Sequence, residues 1–284
     1  MASKRVFILT LIAMTAFAGN SLLCRAALRQ TNIDPASFTF IRIVSGAIAL
    51  SIVVRLRGRR SHPAGDWLSA LALFVYAAAF SFAYLSLTTG TGALLLFGAV
   101  QATMIAWELR KGERLRLQQC FGLLLAMGGV VLLLYPGLSA PPVGGSALML
   151  AAGIAWGIYS LRGKTAGAPA EATAGNFLRA VPLAAGLSII FLPWARLDNA
   201  GAGYALLSGV VASGVGYVIW YSALPGLRAA SAATVQLSVP GLAAAGGILF
   251  LREAITPRFF FATVAVLSGI ALVIWKETAT PPVE

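Results

Sequence analysis

Ten apolar runs, each near the 20 residues that a helix needs to cross the hydrocarbon core of a bilayer, restrict this chain to one class of fold. They lie near residues 6–27, 35–54, 67–87, 91–107, 117–135, 145–161, 173–193, 202–223, 229–250 and 258–275. Glycine and proline interrupt several of them, which membrane helices tolerate when neighbours re-satisfy the freed backbone groups. With 59% of residues hydrophobic and 11% charged, the chain carries more apolar surface than a water-soluble domain can hide. The expected fold is an all-α polytopic membrane protein with ten transmembrane helices. The first run also fits a secretory signal, with Lys4 and Arg5, an apolar core and Ala16-Phe17-Ala18 before Gly19. Residues 16–21 (AFAGNS), however, resemble residues 155–160 (AWGIYS) at an offset of 139, and a run with a counterpart in the second half is read as helix 1.

That counterpart belongs to a duplication. Residues 100–133 and 240–273 match at an offset of 140, pairing Glu113 with Glu253, Leu117 with Pro257, Phe121 with Phe261 and Gly129 with Gly269. FTFIRIV at 38–44 matches GNFLRAV at 175–181, pairing Arg42 with Arg179, and YLSLTTG at 84–90 matches WYSALPG at 220–226. The chain therefore divides into a first five-helix repeat at 1–140, a second at 141–276 and a tail at 277–284. Five crossings per half send the second repeat into the membrane from the opposite side. Two inverted repeats around a central cavity are a recurring architecture of secondary transporters, with the site near the midplane.

Charge orients the bundle. With the N-terminus inside, the inner segments hold Lys4, Arg5, Arg55, Arg57, Arg59, Arg60, Arg110, Lys111, Arg114, Arg116, Arg162, Lys164, Arg228 and Lys276. The outer ones hold only Arg25, Arg29, Arg196, Arg252 and Arg258. This bias places both termini in the cytoplasm and the basic loops against anionic lipid. The net charge of +12 thus follows from topology, and nucleic acid is not an expected partner.

These residues carry a resemblance. Ten helices in two halves, an aromatic followed by a small residue early in each half (Phe17-Ala18, Trp156-Gly157), an arginine in helices 2 and 7, and GER or REA turns after helices 4 and 9 resemble the EamA family of the drug/metabolite transporter superfamily. Within it, the chain is similar to bacterial YddG-type exporters of aromatic amino acids. The resemblance spans about residues 5–275 and departs at Val100, where the family often has proline and where the second half keeps Pro240. It implies a multi-pass protein of the bacterial inner membrane that exports an amino acid.

Polar side chains are costly inside a membrane, so Asn20, Gln101 and Gln236 are candidates for a water-filled cavity. Each amide offers donors and an acceptor to a zwitterion; the alternative is bonding between helices. Tyr76, Phe80 and Tyr84 share one helix face at four-residue spacing, and Tyr217, Trp220, Trp156 and Tyr159 form further aromatic patches. They would hold an apolar or aromatic side chain, or else simply pack. Trp67, Trp194 and Trp275 suit an interfacial belt. Arg42 and Arg179 are either carboxylate ligands or structural residues; their repeat equivalence at opposite depths favours the structural reading. Helices 1, 3, 4, 6, 8 and 9 are expected to wall the cavity.

Glu108, Glu113 and Glu253 sit at helix ends, and no Asp or Glu lies mid-helix, so facilitation down the substrate gradient is expected over ion coupling. Gly153 with Gly157 and Ala243 with Gly247 are small-residue pairs for helix packing, and a monomer or weak homodimer is expected. A single histidine, His62, and the lack of any phosphate-binding or nucleophile-elbow motif argue against an enzyme, a metal site or a cofactor. Cys24 and Cys120 fall near opposite faces, too far apart to pair. The rival readings are an exporter of other small metabolites or aromatic cationic drugs and, in a different class, a non-transporting scaffold or sensor.

Overall fold

The computed structural model describes residues 4–57, 64–112, 116–137, 140–163, 168–223, 226–227 and 235–274. The expectations for Arg59, Arg60, His62, Glu113, Arg114, Lys164, Arg228, Trp275, Lys276 and the tail lie outside these residues. Among the described residues the chain is helical, without strands. We number the helices α1 (Lys4–Gln30), α2 (Pro35–Leu56), α3 (Trp67–Ala83), α4 (Thr89–Arg110), α5 (Leu117–Leu134), α6 (Val143–Gly163) and α7 (Pro169–Ile190). They continue with α8 (Asn199–Ala223), α9 (Ser238–Leu251) and α10 (Pro257–Ile274). Eight are long and apolar enough to span a membrane, while α3 and α9 are shorter apolar helices.

Several boundaries differ from the hydropathy reading because caps, which hydropathy does not register, set them. Asp34 accepts the amides of Ala36 and Ser37 ahead of Pro35, Asp66 accepts that of Ser69, and Asp198 that of Gly201. Thr88 caps α4 through Thr91, so α3 ends at Ala83 rather than 87 and α4 begins at Thr89 rather than 91. Helix 4 runs unbroken through Val100, whereas Pro240 falls in the first turn of α9, just after a turn at Leu237. In α8, residues Ser208–Val215 form a π-helical stretch.

The packing of helices has the symmetry of the duplication. Exchanging α1 with α6, α2 with α7, α3 with α8, α4 with α9 and α5 with α10 leaves the principal contacts unchanged: α3 packs on α6 as α8 packs on α1, α4 on α6 as α9 on α1, and α2 on α8 as α7 on α3. The pairs α2–α7, α4–α9 and α5–α10 map onto themselves. At the α5–α10 seam, a Cβ on Gly269 would strike the carbonyl of Gly122, and one on Gly129 would strike that of Ala262. These contacts exchange under the 140-residue offset, and only very small residues permit backbones so close.

The ends of the helices segregate as five crossings require. Asp34 bonds the Arg196 backbone at one end, where Gly145, near the start of α6, abuts Ser86 and Leu87. At the other end Arg162 pairs with Asp66 at 2.9 Å. Exposed aliphatic and aromatic side chains, such as Phe7, Leu124, Val131, Leu249 and Phe261, cover the periphery that lipid would meet. Trp67 and Trp194 are also exposed, at opposite ends. Gly153 and Gly157 pack against Leu96, Ala99 and Thr103 of α4, and Gly247 lies against Thr89.

Candidate functional site

A ring of aromatic side chains lies inside the bundle where the two repeats meet. Four-residue spacing puts Tyr76 and Phe80 of α3 on one inward face, their rings 5.5 Å apart. Trp156 of α6 stands 4.8 Å from Tyr76 and 5.2 Å from Tyr217 of α8, and Phe17 of α1 meets Tyr217 edge-on at 5.9 Å. With Asn20, Ser21, Leu96, Phe97 and Ala212 they enclose a cavity of about 20 Å³, room for about one water molecule.

A chain of polar groups runs behind the rings. Ser208 donates to Asn20 Oδ1 at 2.6 Å, and Asn20 Nδ2 donates to the Tyr76 hydroxyl at 3.2 Å. Arg42 Nη2 donates to that same hydroxyl at 3.0 Å, and its Nε to Ser213 Oγ at 3.3 Å. Ser208 and Ser213 are five residues apart, a spacing that falls on one face where helical hydrogen bonds run from i to i+5, so the π-helical stretch brings both serines inward. The guanidinium also lies over the Tyr76 and Phe80 rings at 5.2 and 5.1 Å, within the range of a cation–π contact.

The remaining candidates lie elsewhere. Tyr84 is buried, but its hydroxyl donates to the Thr89 carbonyl, and its ring packs on Phe80 and beside Gly92. Tyr159 stacks on Trp156 with its hydroxyl near Thr173 and Asn176. Trp220 meets Phe17 edge-on. Gln101 is buried with an unpartnered side-chain nitrogen, and Gln236 is half-buried ahead of α9. None of these five lines the cavity. Arg179, midway along α7, bonds the carbonyl of Ala64 ahead of α3 at 2.9 Å and that of Gly175 one turn back at 3.0 Å, so the depth symmetry assumed for the two arginines hides a chemical difference.

Phe17, Ser208 and Ser213 were not among the candidates. Phe17 was legible, because the 139-residue offset pairs it with Trp156 and both line the cavity. The serines had no such signal, since small hydroxyl residues are common in membrane helices.

Each end of the bundle carries its own polar fastening. Glu253, buried in the loop after α9, accepts the Thr89 amide at 2.8 Å and pairs with Arg25 at 3.2 Å and Arg29 at 3.9 Å. Arg25 also donates to the Tyr84 carbonyl at 2.7 Å. Beside this latch lies a cavity of about 220 Å³. At the opposite end the Asp66 amide donates to Asn176, and Arg162 bridges Asp66 and Ser69. Partial burial raises the pKa of Asp66, but hydrogen bonds from Ser69 and the charge of Arg162 outweigh it and hold the carboxyl below its usual range. At the Asp34 end the same balance, with bonds from Ser37, Arg196 and Ala36, lowers Asp34.

Inverted five-helix repeats closing on a polar and aromatic pocket define a multi-pass membrane transporter. The sequence profile of the EamA-like transporter family matches twice, over residues 4–135 and 143–275. The chain belongs to this family. It is 58% identical to an uncharacterized protein of Pseudomonas aeruginosa over 96% of both chains. It is 27% identical to an uncharacterized transporter of Archaeoglobus fulgidus over 97% of this chain and 99% of the relative. It is also 31% identical to the threonine/homoserine exporter RhtA of Escherichia coli, over 47% of each chain. A solved crystal structure, 21% identical, superposes with a TM-score of 0.67 over 93% of this chain and 97% of that one, and shares its fold.

Proposed function

We propose that this protein exports amino acids, aromatic and other apolar ones, by alternating access through the central cavity. The observation that carries the reading is the aromatic ring of Phe17, Tyr76, Phe80, Trp156 and Tyr217, with Asn20 and the Tyr76 hydroxyl set into it, at the contact between the two repeats. The rings offer area and edge contacts to an apolar side chain, and the amide and hydroxyl offer bonds to a charged head. Similarity to an exporter named for threonine and homoserine supports an amino acid substrate, and the likeness to YddG-type exporters an aromatic one. Exchange of access needs the Glu253 latch and the Asp66 fastening to release in turn. With carboxylates confined to helix ends and loops, the substrate gradient sets direction. The excess of basic residues in the inner loops supports both termini lying in the cytoplasm of a bacterial inner membrane, and the protein works as a monomer or weak homodimer.

Purified protein in liposomes should move labelled phenylalanine and threonine down their gradients. Uptake equal to that of empty vesicles across an amino acid panel refutes the reading in favour of a scaffold or sensor, and uptake of aromatic cations alone favours the drug-exporter alternative. A strict need for an imposed pH gradient refutes facilitation. Asn20→Ala should slow transport about tenfold, the value of one hydrogen bond to a charged group at about 1.5 kcal/mol.

A further inference from the structure

Arg42 is buried with no anion paired to it among the described residues. It is 1% exposed, eight residues into α2, and it belongs to none of the ion pairs among the described residues. Its Nη1 has no hydrogen-bond partner. The groups it meets are the Ser213 and Tyr76 hydroxyls and the Tyr76 and Phe80 rings, none of them a carboxylate. A buried charge without a counter-ion is costly, and hydroxyls and ring faces compensate it less than an anion would.

The equivalent arginine of the second repeat has different partners. Arg179 takes two backbone carbonyls, those of Ala64 and Gly175. Arg42 is left with two hydroxyls and the faces of two rings. Those rings, Tyr76 and Phe80, form the wall between the guanidinium and the cavity. A swing of Tyr76 would release Nη2 from its hydroxyl acceptor beside the unpartnered Nη1, and two such donors on one guanidinium match a carboxylate with two parallel bonds.

We infer that Arg42 is the receptor for the carboxylate of the transported molecule, and that the site selects its substrate by the carboxylate and not by the ammonium group. The inference rests on the central cavity being the substrate route. An ammonium group in the cavity would meet only neutral side-chain acceptors, Asn20 Oδ1 and the hydroxyls of Ser21, Tyr76 and Tyr217, and would be repelled by Arg42 itself. An organic acid with the right side chain but no amino group is therefore a ligand, whereas the matching amine without a carboxylate is not.

The test is calorimetric titration of the full-length protein in detergent with matched trios: phenylalanine, 3-phenylpropionate and phenethylamine, and the corresponding sets with leucine and threonine side chains. In at least one trio the amino acid and the acid should bind, with the amine at least about thirtyfold weaker, as expected for loss of charge-assisted bonds. Arg42→Gln should abolish the preference for the carboxylates, and Arg42→Lys should keep part of it. An amine that binds as tightly as its acid overturns the inference, as does Arg42→Gln with unchanged affinities or a wild-type protein that binds no carboxylate of any trio. Should Arg42→Gln fail to fold, the wild-type series decides alone. If vesicles move no amino acid while carboxylates bind through Arg42, the transport reading fails and the receptor assignment stands; amino acid transport with affinities indifferent to Arg42→Gln is the converse.

Discussion

Replacing Glu253 with alanine should unlatch the end of the bundle at which Glu253 sits. The carboxylate is 6% exposed and joins three elements: α1 through Arg25, α4 through the Thr89 amide, and its own loop between α9 and α10. Removing one partner of a buried ion pair costs about 3–5 kcal/mol, because the other charge is left behind. Arg25 keeps the carbonyls of Tyr84 and Leu85 at 2.7 and 3.1 Å, which places the loss at the low end, about 3 kcal/mol. Loss of the acceptor for the Thr89 amide adds about 1 kcal/mol, as for other helix caps. At 1.4 kcal/mol per tenfold, the opening equilibrium of that end shifts by several hundredfold. A cysteine at Leu87, which is 1% exposed beside the latch cavity, reports the opening by its rate of reaction with a maleimide in protein carrying serine at Cys24 and Cys120. When reclosing outpaces labelling, that rate follows the open population. Glu253→Ala should raise it by two orders of magnitude or more. Glu253→Gln, which keeps an oxygen for the Thr89 amide, should raise it less. A rate within twofold of the parent, with unchanged thermal stability, would refute the view that this carboxylate holds the end shut.

Two further outcomes follow from the packing and the caps. Gly122→Leu should lower the thermal unfolding temperature in detergent, because its side chain meets the Gly269 carbonyl and the Leu272 and Val273 side chains, an overpacking cost of about 1–3 kcal/mol; Gly128→Leu, where nothing lies within 4 Å of a Cβ, serves as the control. The folded pKa values of Asp34, Asp66 and Asp198 are depressed, so their contribution is complete above the unfolded value near about 3.9 and is lost as pH falls through the lower folded values. Unfolding temperature should therefore drop as the pH is lowered below about 4, less steeply in Asp34→Asn, and a curve identical to wild type would remove Asp34 from the account.

Much of the arrangement was legible because membrane folding turns sequence into geometry by simple rules. Span length, basic loops and a repeat with an odd number of crossings imply inversion, and the match of the Gly129–Ala262 and Gly122–Gly269 contacts follows the same offset. Tyr76 and Phe80 converge because spacing fixes a helix face. Trp156, Tyr217 and Asn20 were candidates by chemistry, but their meeting depends on how α1, α6 and α8 turn about their axes, which composition does not encode. Gln101, Gln236 and Tyr84 have the same chemistry on faces or levels that do not line the cavity.

From its sequence alone this chain had to be a membrane bundle of two opposed halves, since no other fold buries so many apolar runs or pairs their ends so regularly. The tertiary structure alone decided what each polar residue does there. Arg42 and Arg179 occupy equivalent places in the two repeats, yet Arg179 reaches two backbone carbonyls, while Arg42 lies against two aromatic rings with a donor unanswered. A buried charge takes its role from the partners within about 4 Å, and only the packing of the other helices supplies or withholds them.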